Sequence, residues 1–347
     1  QPMTIVAPTY ADGLRQALEG VSYDRLFVLT DTNTVQHCWP EVRDLLPDAT
    51  LITIGATDEC KNLDSLAQVW TALSMQGASR HSLLINLGGG MVSDLCGFAA
   101  STFKRGIRYI NMPTTLLSMV DAAVGGKTGI NFAGLKNEVG VFCPAIAVVI
   151  NTRFLRTLDS ANICSGYAEM LKHGLISTPD AMLAALLQYD LAHPDLARLQ
   201  FMVQDSVAVK ERIVAADPHE KGIRKALNLG HTIGHAFESL AMEQQRPILH
   251  GYAVAWGLVC ELYLSATLMG FDTRVLHQVT HFVRDNYGAF AFDCRHYDRL
   301  LELMTHDKKN EGGVINFTLL AAVGDIRIDQ HATRTDIEAA LDFLREY

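Results

Sequence analysis

Long uninterrupted apolar runs are absent: none reaches the roughly 18 residues that a membrane-spanning helix requires, so no membrane partner is expected. Cysteine is sparse and unpatterned. The seven, at positions 38, 60, 96, 143, 164, 260 and 294, are odd in number and include no CxxC, and they read as reduced thiols filling cores. Basic charge is in deficit, with 29 Lys and Arg against 38 Asp and Glu and a net charge of −9, which argues against nucleic acid as a partner. No basic segment leads an apolar one in QPMTIVAPTY, so no secretory signal is expected and the expected compartment is the cytoplasm. Internal repeats and low-complexity tracts are lacking as well. What remains is 347 residues, 49% apolar and 19% charged, the balance of a soluble globule long enough for two domains with separate cores.

In the first half, short apolar runs alternate with helical spacing. LFVLT (26–30) ends at Asp31, as a buried parallel strand does where it meets a polar loop. TLITI (50–54) is a second strand, followed by helical spacing from Leu63, and 83–87 is a third. Gly88, Gly89 and Gly90 then precede a helix. They are either a tight turn or a cradle in which backbone amides meet a phosphate at a helix N-terminus, although the pattern is not GxGxxG. Strands over 108–113 and 145–150 flank a Gly-rich stretch carrying Asp121, Lys127, Thr128, Lys136 and Asn137. Against the acidic background those lysines suggest a pocket for phosphate or carboxylate. The rhythm predicts a Rossmann-like α/β domain over residues 1–152.

From residue 153 the pattern turns helical, with segments 154–176, 180–191, 195–215, 227–243, 252–270, 273–286 and 296–306 and a late hairpin within 314–328. The expected second domain, 153–347, is therefore mainly α-helical. LNLGHTIGHAFE (227–238) puts His231 and His235 four apart on one helical face, and His250 follows. Such a set can hold zinc. A zinc peptidase needs Glu directly after the first histidine, and Thr232 stands there. Gly230 and Gly234 suggest that something bulky, substrate or cofactor, packs against this helix. Glu169 and Lys172 are three apart, either a surface ion pair or a carboxylate completing the metal set with a lysine in the same pocket.

The ordered series GGGxxxD, KRG, PTTLLxxVD, GGKTGIN, GxKN, SGxAExxK, LNLGHTxGHAxE, HG and DKK, running from about residue 26 to 325, resembles the 3-dehydroquinate synthase family. The resemblance implies a homodimer with an NAD-binding α/β domain, a helical metal domain and an active site between them. It implies conversion of 3-deoxy-D-arabino-heptulosonate 7-phosphate to 3-dehydroquinate and phosphate by transient NAD-dependent oxidation, phosphate elimination, re-reduction and intramolecular aldol closure. By the same resemblance Glu169, His231 and His250 bind zinc, or cobalt in its place, while His235 serves substrate rather than metal. Asp31, Asp58, Lys61, Gly88, Gly89, Gly90, Asp94, Thr114 and Thr115 contact NAD, with Lys136 nearby. Asp121, Lys127, Asn137, Lys172, Lys210, Arg224, Asn228, His235 and one lysine of Lys308-Lys309 hold the sugar-acid phosphate, and Arg105 reaches the neighbouring subunit's substrate.

Three positions depart from the family pattern. Tyr252 replaces an acidic residue after His-Gly, Asp58 replaces a glutamate in the adenosine-side GExxK motif, and Asp159 replaces a proline ahead of SGxAE. The alternatives are another sugar-phosphate cyclase, or a metal-dependent polyol dehydrogenase of the same fold.

Overall fold

Six of the strands lie side by side and parallel, and two of the inner ones, Leu26–Asp31 and Leu83–Gly88, are buried at every position, because helices on both faces of a parallel sheet leave no solvated side. The computed structural model describes residues 3–178, 180–306 and 314–347. They form two units, residues 1–159 with 195–207, and residues 160–194 with 208–347.

The first unit runs β1 (Met3–Val6), α1 (Tyr10–Leu18), β2 (Leu26–Asp31), α2 (Thr34–His37), α3 (Trp39–Val42), β3 (Thr50–Ile54), α4 (Leu63–Met75), β4 (Leu83–Gly88), α5 (Gly90–Thr102), β5 (Arg108–Pro113), β6 (Lys127–Phe132), β7 (Leu135–Phe142) and β8 (Ala147–Ile150). The sheet order is β1-β8-β5-β4-β2-β3. From β2 the chain steps outward to β3 and then returns to the other side of β2 as β4. The order thus reverses between β2 and β4, whose carboxyl ends are Asp31 and Gly88. In such sheets a ligand crevice opens at that reversal. The core beneath it joins Phe27 and Leu29 of β2, Leu66, Val69 and Leu73 of α4, and Leu95 and Ala99 of α5.

Three local readings are corrected. The stretch read only as Gly-rich loop contains the antiparallel hairpin β6–β7, turned by Ala133 and Gly134 at φ 51° and 79°. A two-residue turn with both φ positive matches the twist of a hairpin. The expected helix 154–176 is a 3-10 turn, Thr152–Thr157, and a separate helix from Ser160, broken by extended Leu158. The expected helix 227–243 is likewise a 3-10 turn, Ile223–Asn228, and a helix starting at His231, because Gly230 adopts φ 79°.

The second unit holds α6 (Ser160–Leu175), α7 (Ala181–Leu187), the second half of α8 (Leu196–Ala216), α9 (His231–Glu243), α10 (His250–Met269), α11 (Thr273–Tyr287), α12 (Tyr297–Thr305), the expected late hairpin as β9 (Phe317–Ala322) and β10 (Asp325–Gln330), and α13 (Arg334–Glu346). Helix α10 is its axis, packed against α6, α9, α11, α13 and β9. Among the described residues it is the helix long and apolar enough to cross a bilayer, yet most of it is buried inside the protein. Its apolar character is that of a core helix.

Candidate active site

Three helices of the second unit bring their chemistry to one point. Glu169 comes from the middle of α6, His231 is the first residue of α9 and His250 the first of α10. One donor atom from each lies within 4.8 Å of the others. Glu169 Oε1 is 3.1 Å from His231 Nε2 and 3.2 Å from His250 Nε2. The other carboxylate oxygen pairs with Lys172 Nζ, one turn along α6, and Glu169 and Lys172 are both fully buried.

Close helix approach makes this possible. A Cβ on Gly251 would stand 1.8 Å from the Ser165 carbonyl of α6, and one on Gly257 would stand 2.1 Å from the Gly230 carbonyl. The bulk expected beside Gly230 and Gly234 is therefore neither substrate nor cofactor. Side-chain atoms of Leu258 and backbone atoms of Ala253, both on α10, occupy those places.

The protonation pattern follows from the partners. His231 Nδ1 lies 3.0 Å from the Leu229 carbonyl, which can only accept, so Nδ1 carries the proton. Burial pushes the imidazole down and Glu169 only partly restores it, leaving a pKa of about 4. At neutral pH the Nε2 lone pair then faces the Glu169 Oε1 lone pairs at 3.1 Å. Two imidazole nitrogens and a carboxylate oxygen converging in this way form an N, N, O donor set of the kind that zinc or a similar divalent ion takes. Burial drives the Glu169 carboxyl up, but the Lys172 ammonium and His231 outweigh it and hold it well below the usual carboxylate range. His250 behaves oppositely to His231. Burial pushes it down, yet hydrogen bonds to Glu169 and Glu238 raise it to about 10.

His235 stands one turn after His231, its ring 5.3 Å from that of His231 and 6.0 Å from that of His250. Buried Lys210 sits on α8, while Arg224 and Asn228 lie on the 3-10 turn leading into α9. Asp217 organises that turn by accepting the backbone N–H groups of Lys221, Gly222 and Arg224, and Arg224 Nη1 donates to the Pro218 carbonyl at 2.7 Å. Lys308 and Lys309 lie outside the described residues. Sequence reasoning missed Glu238, whose Oε2 is 3.1 Å from His250 Nδ1. Its position seven residues after His231, two helical turns on, was the available signal.

In the first unit, Asp31 ends β2 and spends its carboxylate on the Asn33 and Thr34 N–H groups, both at 2.8 Å. Gly88 ends β4, Gly89 caps α5 and Gly90 begins it; the Thr114 N–H donates to the Gly88 carbonyl, and Thr115 lies against Gly89. Lys61 Nζ bridges Asp94 Oδ2 at 2.6 Å and Asn137 Oδ1 at 2.5 Å, tying α5 to the hairpin. Lys136 Nζ is 3.7 Å from Asp58, which also accepts from Asn131. Asp121 lies on the π-helical turn Ser118–Ala122, and Lys127 opens β6. Arg105 is exposed within Lys104-Arg105-Gly106, all three at positive φ. Tyr252 packs its ring on Trp256 and Tyr287, and Asp159 directly precedes α6.

Residues 51–165 match the family model for the 3-dehydroquinate synthase N-terminal domain, and residues 166–310 match that for the C-terminal domain. A 3-dehydroquinate synthase of Parabacteroides distasonis is 59% identical over 335 residues, 96% of this chain and 95% of that one. Among solved structures, 2-epi-5-epi-valiolone synthase from Streptomyces hygroscopicus, with NAD+ and Zn2+ bound, superposes with a TM-score of 0.84 at 25% identity, covering 100% of this chain and 97% of that one. A 2-deoxy-scyllo-inosose synthase shares the fold with a TM-score of 0.81 at 20% identity, over 95% and 93% of the two chains. With the two domain models matching consecutive stretches, residues 51–165 and 166–310, and a relative this similar over nearly its full length, the chain belongs to the 3-dehydroquinate synthase family.

Proposed function

We propose that this chain converts 3-deoxy-D-arabino-heptulosonate 7-phosphate to 3-dehydroquinate and phosphate, using NAD and a divalent metal, zinc or cobalt. The observation that carries the reading is the Glu169, His231 and His250 donor set with Lys172 against it, in a chain of this family. The cofactor pair is supported by the valiolone synthase relative with NAD+ and Zn2+ bound. When bound, the metal supplies a Lewis acid for a substrate hydroxyl and NAD a reversible hydride acceptor.

Everything else falls to side chains of the protein. Glu169 stays ionised, and Lys172 balances its charge so that the set can be buried. Lys210 and Arg224, both buried cations, suit the substrate carboxylate, Arg224 through its planar fork. Asn228 and His235 offer hydrogen bonds to its hydroxyls. Lys127 and Asn137 serve the phosphate: Lys61 holds the Asn137 carbonyl oxygen, which leaves the amide N–H groups to donate. Asp121 and one of Lys308 and Lys309 complete the substrate contacts. NAD would occupy the reversal between β2 and β4, with its pyrophosphate at Gly88, Gly89 and Gly90, and with Asp31, Asp58, Lys61, Asp94, Thr114, Thr115 and Lys136 around it. The working form is a homodimer in which exposed Arg105 reaches the phosphate in the neighbouring subunit.

The test is release of phosphate from this substrate by purified protein with catalytic NAD and zinc, coupled to a dehydroquinase that reports the product. Phosphate and dehydroquinate should appear together, without net NADH, and vanish with chelator or His231→Ala. Turnover of sedoheptulose 7-phosphate alone, or stoichiometric NADH from a polyol, would replace this reading with a different cyclase or a dehydrogenase.

A further inference from the structure

A helix start leaves several backbone N–H groups without intrahelical partners. Helix α9 starts without a capping side chain of its own, because its N-cap is Gly230. Glu261, fully buried on α10, does the capping from outside. The Gly230 N–H donates to Glu261 Oε2, and the Ile233 N–H donates to Oε1 at 3.0 Å. Negative charge at that end of a helix also suits its dipole. Gly257, one turn earlier on α10, keeps the two helices close enough for this contact.

The Leu229–Gly230 peptide group is engaged at both ends. Its N–H goes to Glu261, and its C=O accepts from His231 Nδ1 at 3.0 Å. Hydrogen bonds in series polarise one another, so a carboxylate on the N–H makes the carbonyl a stronger acceptor. A stronger acceptor on Nδ1–H holds the imidazole in one tautomer and one direction and makes its Nε2 more basic. We propose that Glu261 is a positioning residue for His231, acting through this peptide as a carboxylate–peptide–imidazole relay that raises the metal affinity of the site. The proposal rests on Glu169, His231 and His250 being the metal set. It gives the two imidazoles parallel support: His250 is backed directly by Glu238 at 3.1 Å, and His231 by Glu261 one peptide removed.

The experiment compares the full-length protein with Glu261→Gln, His231→Ala and Leu262→Ala, the last being a buried apolar truncation in the same helix that serves as a stability control. The readouts are Zn2+ affinity by chelator competition, the visible absorption bands of bound Co2+, and the melting temperature without metal. Glu261→Gln is expected to weaken zinc about tenfold and to shift the cobalt bands, the low end of the effect of outer-shell carboxylates. Leu262→Ala is expected to lower the melting temperature while leaving zinc affinity and cobalt bands unchanged. If His231→Ala binds zinc as the native protein does, the metal set itself is wrong. If His231→Ala loses zinc while Glu261→Gln matches Leu262→Ala, the relay is overturned and Glu261 is only a helix cap. Should Glu261→Gln not fold, Glu261→Asp, whose shortened carboxylate cannot reach both N–H groups, is judged against the same control by the same two outcomes.

Discussion

Glu238 is the residue whose removal tests the donor set most directly without touching it. Its carboxylate accepts the Nδ1 proton of His250 and leaves Nε2 turned toward Glu169 Oε1. Glu238→Gln keeps the shape and removes the charge, so zinc affinity is expected to fall roughly 10- to 100-fold, measured by chelator competition. An unchanged affinity would mean that His250 is held by packing alone. His231 and His235 show what spacing can and cannot say at this scale. Four apart on a helix, they share a face, and the sequence pattern alone offers both to a metal. What separates them is their surroundings: Leu229 and Glu169 engage the two nitrogens of His231.

Glycine decides the packing of the elements. Gly251 sits where α10 meets α6, and a methyl group there would run into the Ser165 carbonyl. Backbone cannot retreat as a flexible side chain does, so Gly251→Ala is expected to destabilise the protein by about 3 kcal/mol, the upper end for overpacking, seen as a lower melting temperature. Because the same crossing sets Glu169 against His250, zinc affinity should fall with it; a fully stable, zinc-tight variant would show that the helices can part without consequence. The turn before α9 has a different dependence. Backbone hydrogen bonds from Lys221 and Gly222 hold the Asp217 carboxyl below its ordinary value. A depressed folded pKa means that the stabilisation is present above the ordinary carboxylate range near pH 4 and is lost as pH falls through the depressed value. Protection of the Lys221, Gly222 and Arg224 amides, taken relative to their intrinsic exchange rates at each pH, should therefore fall on acidification below about pH 4 in the native protein. In Asp217→Asn that protection should be low already at neutral pH, and protection that does not change with pH in the native protein would remove Asp217 from that role.

At the scale of the whole molecule the decisive question is whether one active site draws on two chains. If Arg105 serves the neighbour, Arg105→Ala and His231→Ala should each be inactive alone. Mixed and re-associated in equal amounts, they should recover about a quarter of native activity, since half of a randomly assorted C2 dimer population is hybrid and each hybrid carries one intact site. Activity no greater than that of the parents would place Arg105 in its own subunit's chemistry or outside it.

The local code can be read from the chain alone: short apolar runs ending in Asp31 and Gly88, a helical second half, and the ordered motifs that define the family. These are legible because buried parallel strands and amphipathic helices leave their periods in the chain, and because sites built on them recur at the same spacings. Composition misled where glycine had more than one use. Around residues 125–140 glycines belong to a hairpin, since a Cβ on Gly140 would stand 1.9 Å from the Thr128 carbonyl. At Gly230 glycine ends one helical segment and starts another by adopting φ 79°. Packing in three dimensions, in contrast, sets α10 as the bulk beside Gly230 and Gly234, buries Lys172 against Glu169, and puts Glu238 and Glu261 behind the histidines. The reason is distance along the chain: His231 meets Glu169 across 62 residues and Gly230 meets Glu261 across 31, separations at which no sequence period survives and only packing chooses partners.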